Sequence, residues 1–204
     1  QLRENMLKAI ADTSRALSFG LNFYDSISES LPIIGNAVEV DRTYLFQFHP
    51  GPEGDSLLSQ RLEWNSGVAE PQIDNPELQN LPVEMFQEFM EMMGNNQPFQ
   101  AVVEELPASS DLKEVLHAQG IVSVLIIPVF YKGELWGFIG YDDCSQKRIW
   151  DEAEISILRT FSGNISLNLE RQENIKEIQS LAAFPLQNPA PVIRVDQKGE
   201  ELLR

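Results

Sequence analysis

Along the first seventeen residues, apolar side chains recur at Leu2, Met6, Ala9, Ile10, Ala16 and Leu17, while Arg3, Glu4, Lys8 and Asp12 fall on the other side. This near-helical spacing predicts a helix with one narrow apolar stripe. A second helix is predicted over residues 25–39, where Ile27, Leu31, Ile34, Ala37 and Val38 share a face. Pro32 fits that helix best if Ser30 caps its start. From 42 to 49 the period changes to two: Tyr44, Phe46 and Phe48 alternate with Leu45 and Gln47, which is a strand. Pro50-Gly51-Pro52-Glu53-Gly54-Asp55 turns the chain into a second strand over 56–65, carrying Leu58, Gln60, Leu62 and Trp64 on one face.

Residues 66–81 lack periodicity, and a loop of that length in a compact domain is usually a functional cover. Residues 82–93 predict a short helix with Met85, Phe86 and Phe89 inward, ended by Gly94. A short strand over 99–103 and a helix over 110–119, stopped by Gly120, follow. Residues 122–131 are apolar on both alternating faces, so this strand is central and covered from both sides. Lys132-Gly133 joins it in a tight hairpin to a strand over 134–142. Asp151 with Glu154 reads as a capping box opening a helix that carries Ile155, Leu158, Phe161, Ile165 and Leu169 inward. That helix runs on toward Ile178, beyond what one small domain covers. After Leu181 a proline-punctuated stretch leads to a strand over 192–196, the expected start of a second domain. With no Met or signal-like segment at Gln1, and a stop in mid-strand at Arg204, the chain is expected to be a fragment of a longer protein.

Composition narrows the function classes. The 204 residues are 43% hydrophobic and 23% charged, as in ordinary globular domains, with a net charge of −16. Residues 41–120 hold 14 acidic side chains against 3 basic ones. Such a surface repels a nucleic-acid backbone or an anionic lipid leaflet, so neither is an expected partner. The longest apolar run, 122–130, falls far short of the roughly 20 residues of a membrane helix. A single cysteine closes no intrachain disulfide and fits a reducing, cytoplasmic setting.

Candidate chemistry is sparse. His49 and His117 have no metal-ligand spacing and read as solvated side chains. Cys144 follows Asp142-Asp143, whose charges disfavour its thiolate, and two aspartates at a strand end fit a turn better than a cation site. No catalytic or metal-ligating set is predicted. Trp64, Phe86, Phe89, Phe99 and Phe138 are candidates for a ligand pocket, although inward aromatics also build plain cores.

One resemblance draws these elements together. It is carried by Leu116-His117-Ala118-Gln119-Gly120-Ile121-Val122-Ser123-Val124-Leu125-Ile126-Ile127-Pro128-Val129, by Gly133-Glu134-Leu135-Trp136-Gly137-Phe138-Ile139-Gly140-Tyr141-Asp142, and by Arg148-Ile149-Trp150-Asp151 with Glu154-Ile155 and Leu158. Over about residues 25–169 the chain resembles a GAF domain of bacterial and archaeal signalling proteins. The resemblance implies an α+β fold: a six-stranded antiparallel sheet with a terminal helix bundle on one face and short helices over a pocket on the other. It implies a non-enzymatic, ligand-sensing input module of a larger signalling protein, such as a sensor histidine kinase, with the output domain in the same chain. The ligand and any cofactor are left open. The pocket is expected at Trp64, Phe86, Phe89, Phe99, Leu116, Val124, Ile126 and Phe138.

A chromophore-binding photoreceptor and a small reductase of the same fold are the alternatives. Bilin-binding relatives carry a Cys-His pair where this chain has Asp111 and Leu112, and the reductases need several cysteines. Residues 181–204 resemble the opening of a PAS domain through Phe184-Pro185 and Asn188-Pro189-Ala190-Pro191-Val192. The expected organisation is a connecting helix (1–20), the sensory domain (21–169), a signalling helix (170–180) and the PAS-like start. A homodimer is expected through Leu2, Met6, Ile10 and Leu17 at one end and Ile175 and Ile178 at the other, because such stripes need a partner helix.

Overall fold

The computed structural model describes residues 1–20 and 22–187, so the expected strand over 192–196 lies outside the described residues. The described chain falls into two units, Gln1–Leu169 and the part from Glu170 on.

In the first unit, helices α1 (Leu2–Phe19) and α2 (Phe23–Val38) precede the hairpin β1 (Arg42–Pro50) and β2 (Ser56–Asn65). A two-residue strand β3 (Leu81–Pro82), helix α3 (Gln87–Gly94), strand β4 (Phe99–Val102) and helix α4 (Asp111–Ala118) follow. The hairpin β5 (Ser123–Tyr131) and β6 (Glu134–Asp143) then leads to helix α5 (Glu152–Gln187). The six strands form one antiparallel sheet in the order β3-β2-β1-β6-β5-β4. This is the α+β arrangement that the resemblance implies.

Local chemistry sets several boundaries. Asn22, not Ser30, caps α2: its side chain accepts hydrogen bonds from the backbone N–H groups of Tyr24 (2.9 Å) and Asp25 (3.4 Å). The helix therefore starts before the predicted position and carries Pro32 in its interior. Ser30 is buried, its hydroxyl donating back to the Ser26 carbonyl at 2.7 Å. The Asp151–Glu154 capping box forms as predicted, with Asp151 Oδ1 accepting from the Glu154 N–H (3.0 Å) and Glu154 Oε2 from the Asp151 N–H (2.9 Å). Residues 82–93, predicted as one helix, divide into a 3₁₀ turn (Val83–Phe86) and α3.

Period-two alternation places the two sides of the sheet against two separate cores. On one side Leu45, Leu125, Ile127, Val129, Ile139 and Tyr141 pack against α1, α2 and α5 through Met6, Ile10, Leu17, Ile27, Leu31, Ile34, Leu158, Phe161 and Ile165. On the other side Tyr44, Phe46, Leu58, Val124, Ile126 and Phe138 meet α3, α4 and the 3₁₀ turns. The pairing of β1 with β2 slips between Leu45 and Phe46: Leu45 faces Leu62, Phe46 faces Gln60, and Arg61 is the extra residue of a bulge. One inserted residue reverses alternation beyond it. Leu62 and Trp64 thereby cross to the helix side although Leu58 faces the other.

The stripe Leu2, Met6, Ile10 and Leu17, expected to meet a second copy, is used within the chain. Met6 and Leu17 are fully buried, Ile10 nearly so and Leu2 partly, all in the core that α1 shares with α2 and α5. The second unit contributes residues 170–187 of α5, where Ile175 is half-buried and Ile178 and Leu181 are exposed. That helix reaches six residues past the predicted break at Leu181.

Candidate functional site

The side of the sheet away from the terminal helices carries an aromatic cluster over an ionic floor. Phe46 and Phe138, neighbours on β1 and β6, stack with ring centroids 5.1 Å apart. Phe89 of α3 stands edge-on to Phe138 (5.6 Å) and to Phe99 (5.5 Å), the geometry favoured by ring quadrupoles. Between the rings of Phe46, Phe89 and Phe138, Tyr44, Leu58, Leu81 and Ile126 of the sheet, Leu78 and Phe86 of the cover, and Leu112, Val115, Leu116 and Gln119 at α4 lies a cavity of about 40 Å³. It has room for water but is far below the roughly 300 Å³ of a small ligand pocket.

An outer cleft of about 350 Å³ lies between α3 and residues 106–112, lined by Met85, Met92, Phe99, Leu106 and others. Phe86, Phe89 and Leu112 border both spaces and form the wall between them.

Seven of the eight predicted pocket residues meet on this side of the sheet. Phe86, Phe89, Leu116, Ile126 and Phe138 line the cavity, Phe99 lines the cleft, and Val124 is buried in the same cluster. Trp64 is the correction. Carried across by the bulge, it packs on α2 so closely that a Cβ on Gly35 would lie 2.3 Å from its ring.

The floor was not predicted. Arg42, 1% exposed, donates from Nη2 to Asp142 Oδ2 (3.1 Å) and to the Gln119 carbonyl (3.2 Å), and from Nη1 to the Glu70 carbonyl (3.1 Å). The Tyr44 hydroxyl donates to Asp142 Oδ1 at 2.8 Å. Its ring occupies the space where a Cβ on Gly140 would lie, 2.1 Å away, so only glycine at 140 lets the tyrosine lie flat across β6. Burial raises the Tyr44 hydroxyl well above its ordinary range, and the adjacent Asp142 adds to this, so it stays a donor. Burial also pushes the Asp142 carboxyl up, while Arg42 and the Tyr44 hydroxyl pull it back. The available signal was the position of Arg42: it shares strand parity with Tyr44 and Phe46, and a charge on a buried face requires a partner.

Through these contacts one guanidinium ties the loop at Glu70 and the end of α4 at Gln119 to the sheet. The loop is held further along β2. Both Glu63 carboxylate oxygens accept from the Gln72 N–H at 3.0 Å, and Ser59 Oγ accepts from the Asn80 N–H at 2.8 Å.

The remaining candidates have structural partners. Asp143 Oδ1 accepts from the Ser145 and Gln146 N–H groups (3.0 and 2.8 Å), and Asp41 Oδ2 from the Cys144 N–H (2.8 Å), so these carboxylates build the turn after β6. Burial pushes the Cys144 thiol up to about 11 against the opposing pull of Arg42, which leaves it protonated and a poor nucleophile at neutral pH. His49, expected in solvent, is half-buried with Nε2 2.8 Å from Ser59 Oγ, whereas His117 is exposed. Ser59 is itself 1% exposed and committed to Asn80, so the pair joins strands and loop. Among the described residues, no cluster of three or more His, Cys, Asp or Glu is placed to hold a metal ion.

Residues 28–169 match the family model of the GAF domain. The chain belongs to the GAF domain family. It is 42% identical over 164 residues to the methanogenesis regulatory histidine kinase FilI of Methanothrix harundinacea (strain 6Ac), covering 80% of this chain and 18% of that protein. The chain thus spans under a fifth of the length of this curated relative. Among solved structures, the phycocyanobilin-bound GAF domain of a cyanobacterial phytochrome is similar with a TM-score of 0.64 and 19% identity, over 83% of this chain and 94% of that one. The free methionine-R-sulfoxide reductase of Neisseria meningitidis, in complex with its substrate, gives 0.65 and 10% over 86% and 94%. At these identities the likeness to both structures is one of fold. In this GAF domain the cavity side and the helix side share the central strands β1, β5 and β6.

Removing one partner of a buried ion pair costs about 3–5 kcal/mol, and Arg42→Met is expected to lower unfolding free energy by that amount in urea titrations. Arg42→Met with Asp142→Leu should restore only part of it, because the Glu70 and Gln119 carbonyls remain unpaired. Full restoration would contradict a role for those carbonyl contacts.

Proposed function

We propose that this GAF domain is the small-molecule-sensing input module of a multidomain signal-transduction protein, a cytoplasmic sensor histidine kinase. It is itself non-catalytic, relays the state of its cavity through α5 to an output domain in the same chain, and leads into a PAS-like domain. The observation that carries this reading is the sharing of strands between the two cores. Ile126 lines the cavity while its neighbours Leu125 and Ile127 pack against the helix side with Leu158 and Phe161 of α5. A change in cavity packing therefore reaches α5 through one strand two side chains thick. The 42% identity to a regulatory histidine kinase supports the class of output. The protonated thiol of Cys144 supports the absence of chemistry in the module itself. Among the described residues, no helix is long and apolar enough to cross a membrane.

Ile126→Trp fills the cavity and should act as a permanent occupant. In the full-length protein it is expected to change basal autophosphorylation by about threefold or more, a modest shift of a two-state equilibrium. Ile149→Trp, at a position 63% exposed, should leave it unchanged. Equal rates in Ile126→Trp and wild type would contradict the reading.

Assembly follows from α5. Ile178 and Leu181, three residues apart on one helical face and 66% and 63% exposed, provide the contact with a second copy, in place of the stripe on α1. Burying each contributes about 1.5–3 kcal/mol, against an association cost of about 4–15 kcal/mol, so the homodimer of the isolated chain is weak. Sedimentation equilibrium should show concentration-dependent dimerisation that Ile178→Lys abolishes. A monomer at millimolar concentration would exclude it.

A further inference from the structure

The lining of the cavity also constrains the chemistry of what it senses. Of its wall residues only Tyr44 and Gln119 are polar. The Tyr44 hydroxyl is committed to Asp142, and the Gln119 amide donates to the Val115 carbonyl at 3.0 Å. Arg42 is not among the residues that line the cavity, and its Nη groups are taken by Asp142 and two backbone carbonyls, its Nε–H being buried without a partner among the described residues. A ligand carboxylate or phosphate entering here would meet no free cation, and an ammonium would meet no free carboxylate. Either would lie buried without an opposite charge among the lining residues, which carries a large penalty.

The outer cleft agrees in sign. Glu88 and Asp111 lie on its rim, and the ammonium of nearby Lys113 is held by the carbonyls of Glu104 (2.8 Å) and Leu106 (2.6 Å). Besides the uncharged polar side chains of Gln87, Ser109 and Ser110, what remains for binding is aromatic surface and methionine. Phe46, Phe89, Phe99 and Phe138 present ring faces and edges, and Met85 and Met92 flank the mouth with flexible, polarizable side chains that adapt to a guest. The wall between cleft and cavity consists of the side chains of Phe86, Phe89 and Leu112. The first two are carried on a cover bracketed by Asn80 and Asn96, both in the left-handed region (φ 58° and 55°). Side chains, not backbone, thus separate the cleft from the cavity.

We infer that this site takes an uncharged, flat, largely apolar molecule, admitted from the outer cleft past Phe86, Phe89 and Leu112, and that it excludes anions. The inference rests on the sensing reading above and specifies its ligand class.

The test uses the 204-residue chain and two probes of matched shape: 1-aminoanthracene, uncharged at pH 7.5, and 1-anthracenecarboxylate. Titration followed by probe fluorescence should give a saturable rise with 1-aminoanthracene, and affinity for the carboxylate weaker by about tenfold or more, the least that an unpaired buried charge should impose. Ile126→Trp should abolish the rise. Leu112→Trp, at a half-buried wall position, should weaken it and serves if Ile126→Trp does not fold. Ile149→Trp should bind as wild type. Equal affinity for both probes, or preference for the carboxylate, overturns the inferred ligand class and leaves a sensing cavity intact. Binding of neither probe at their solubility limits overturns the sensing reading and the inference together.

Discussion

A guanidinium held almost wholly out of water is the constraint on which this domain is arranged. Desolvating Arg42 and Asp142 is costly, and their mutual attraction offsets that cost only when the remaining donors and acceptors are also met. Most of them are met: two backbone carbonyls take the Nη groups of Arg42 and the Tyr44 hydroxyl donates to Asp142, while the buried Nε–H of Arg42 has no hydrogen-bond partner among the described residues. Each contact fixes a piece of architecture. Asp142 and Arg42 are paired across β6 and β1, Tyr44 lies over Gly140, Glu70 belongs to the long loop and Gln119 ends α4. An ion pair is a weak stabiliser in net terms, but the directions of its hydrogen bonds relate the loop at Glu70 and the end of α4 to the sheet.

Apart from this floor and the hydrogen bonds of Gln72, Gln79 and Asn80 to β2, the cover meets the sheet through apolar side chains. Leu78, Phe86, Phe89 and Leu116 touch the sheet through dispersion and ring contacts, which tolerate sliding and rotation better than hydrogen bonds do. The domain thus has a fixed end, at Arg42 and Asp142, and an adaptable end, at Phe89 and Phe99 beside the outer cleft. The helix side has its own core, and β5 faces both.

Much of this was legible in the sequence, for reasons that differ by element. The central hairpin was plain because β5 is covered on both sides, so its run from Val124 to Val129 is apolar at either parity. The start of α5 was plain because a capping box is a local device. What sequence could not show was non-local. The bulge at Arg61 is visible only in the register with β1, and it carried Trp64 away from the cavity. β3 is two residues long, too short for any period, and is defined by its pairing with Leu57 and Leu58. Ser30 and Asn22 are both good caps, and the choice was made by burial of Ser30 against the core. The stripe of α1 looked unpartnered because nothing in one helix reveals that α2 and α5 cover it. Arg42 was legible in principle, as a charge at a buried parity, but its partner lies 100 residues away.

The central claim is that the Arg42–Asp142 pair holds the cover to the sheet. Hydrogen exchange by mass spectrometry on wild type and Asp142→Asn tests it most directly, since local and global opening separate by segment. The account predicts that peptides spanning residues 66–80 and 111–122 exchange at least about tenfold faster in the variant, the effect of losing about 1.4 kcal/mol of local protection. Peptides of α2 and of residues 155–165 should change less. Uniform loss of protection across both cores, or unchanged exchange in the cover, would contradict it.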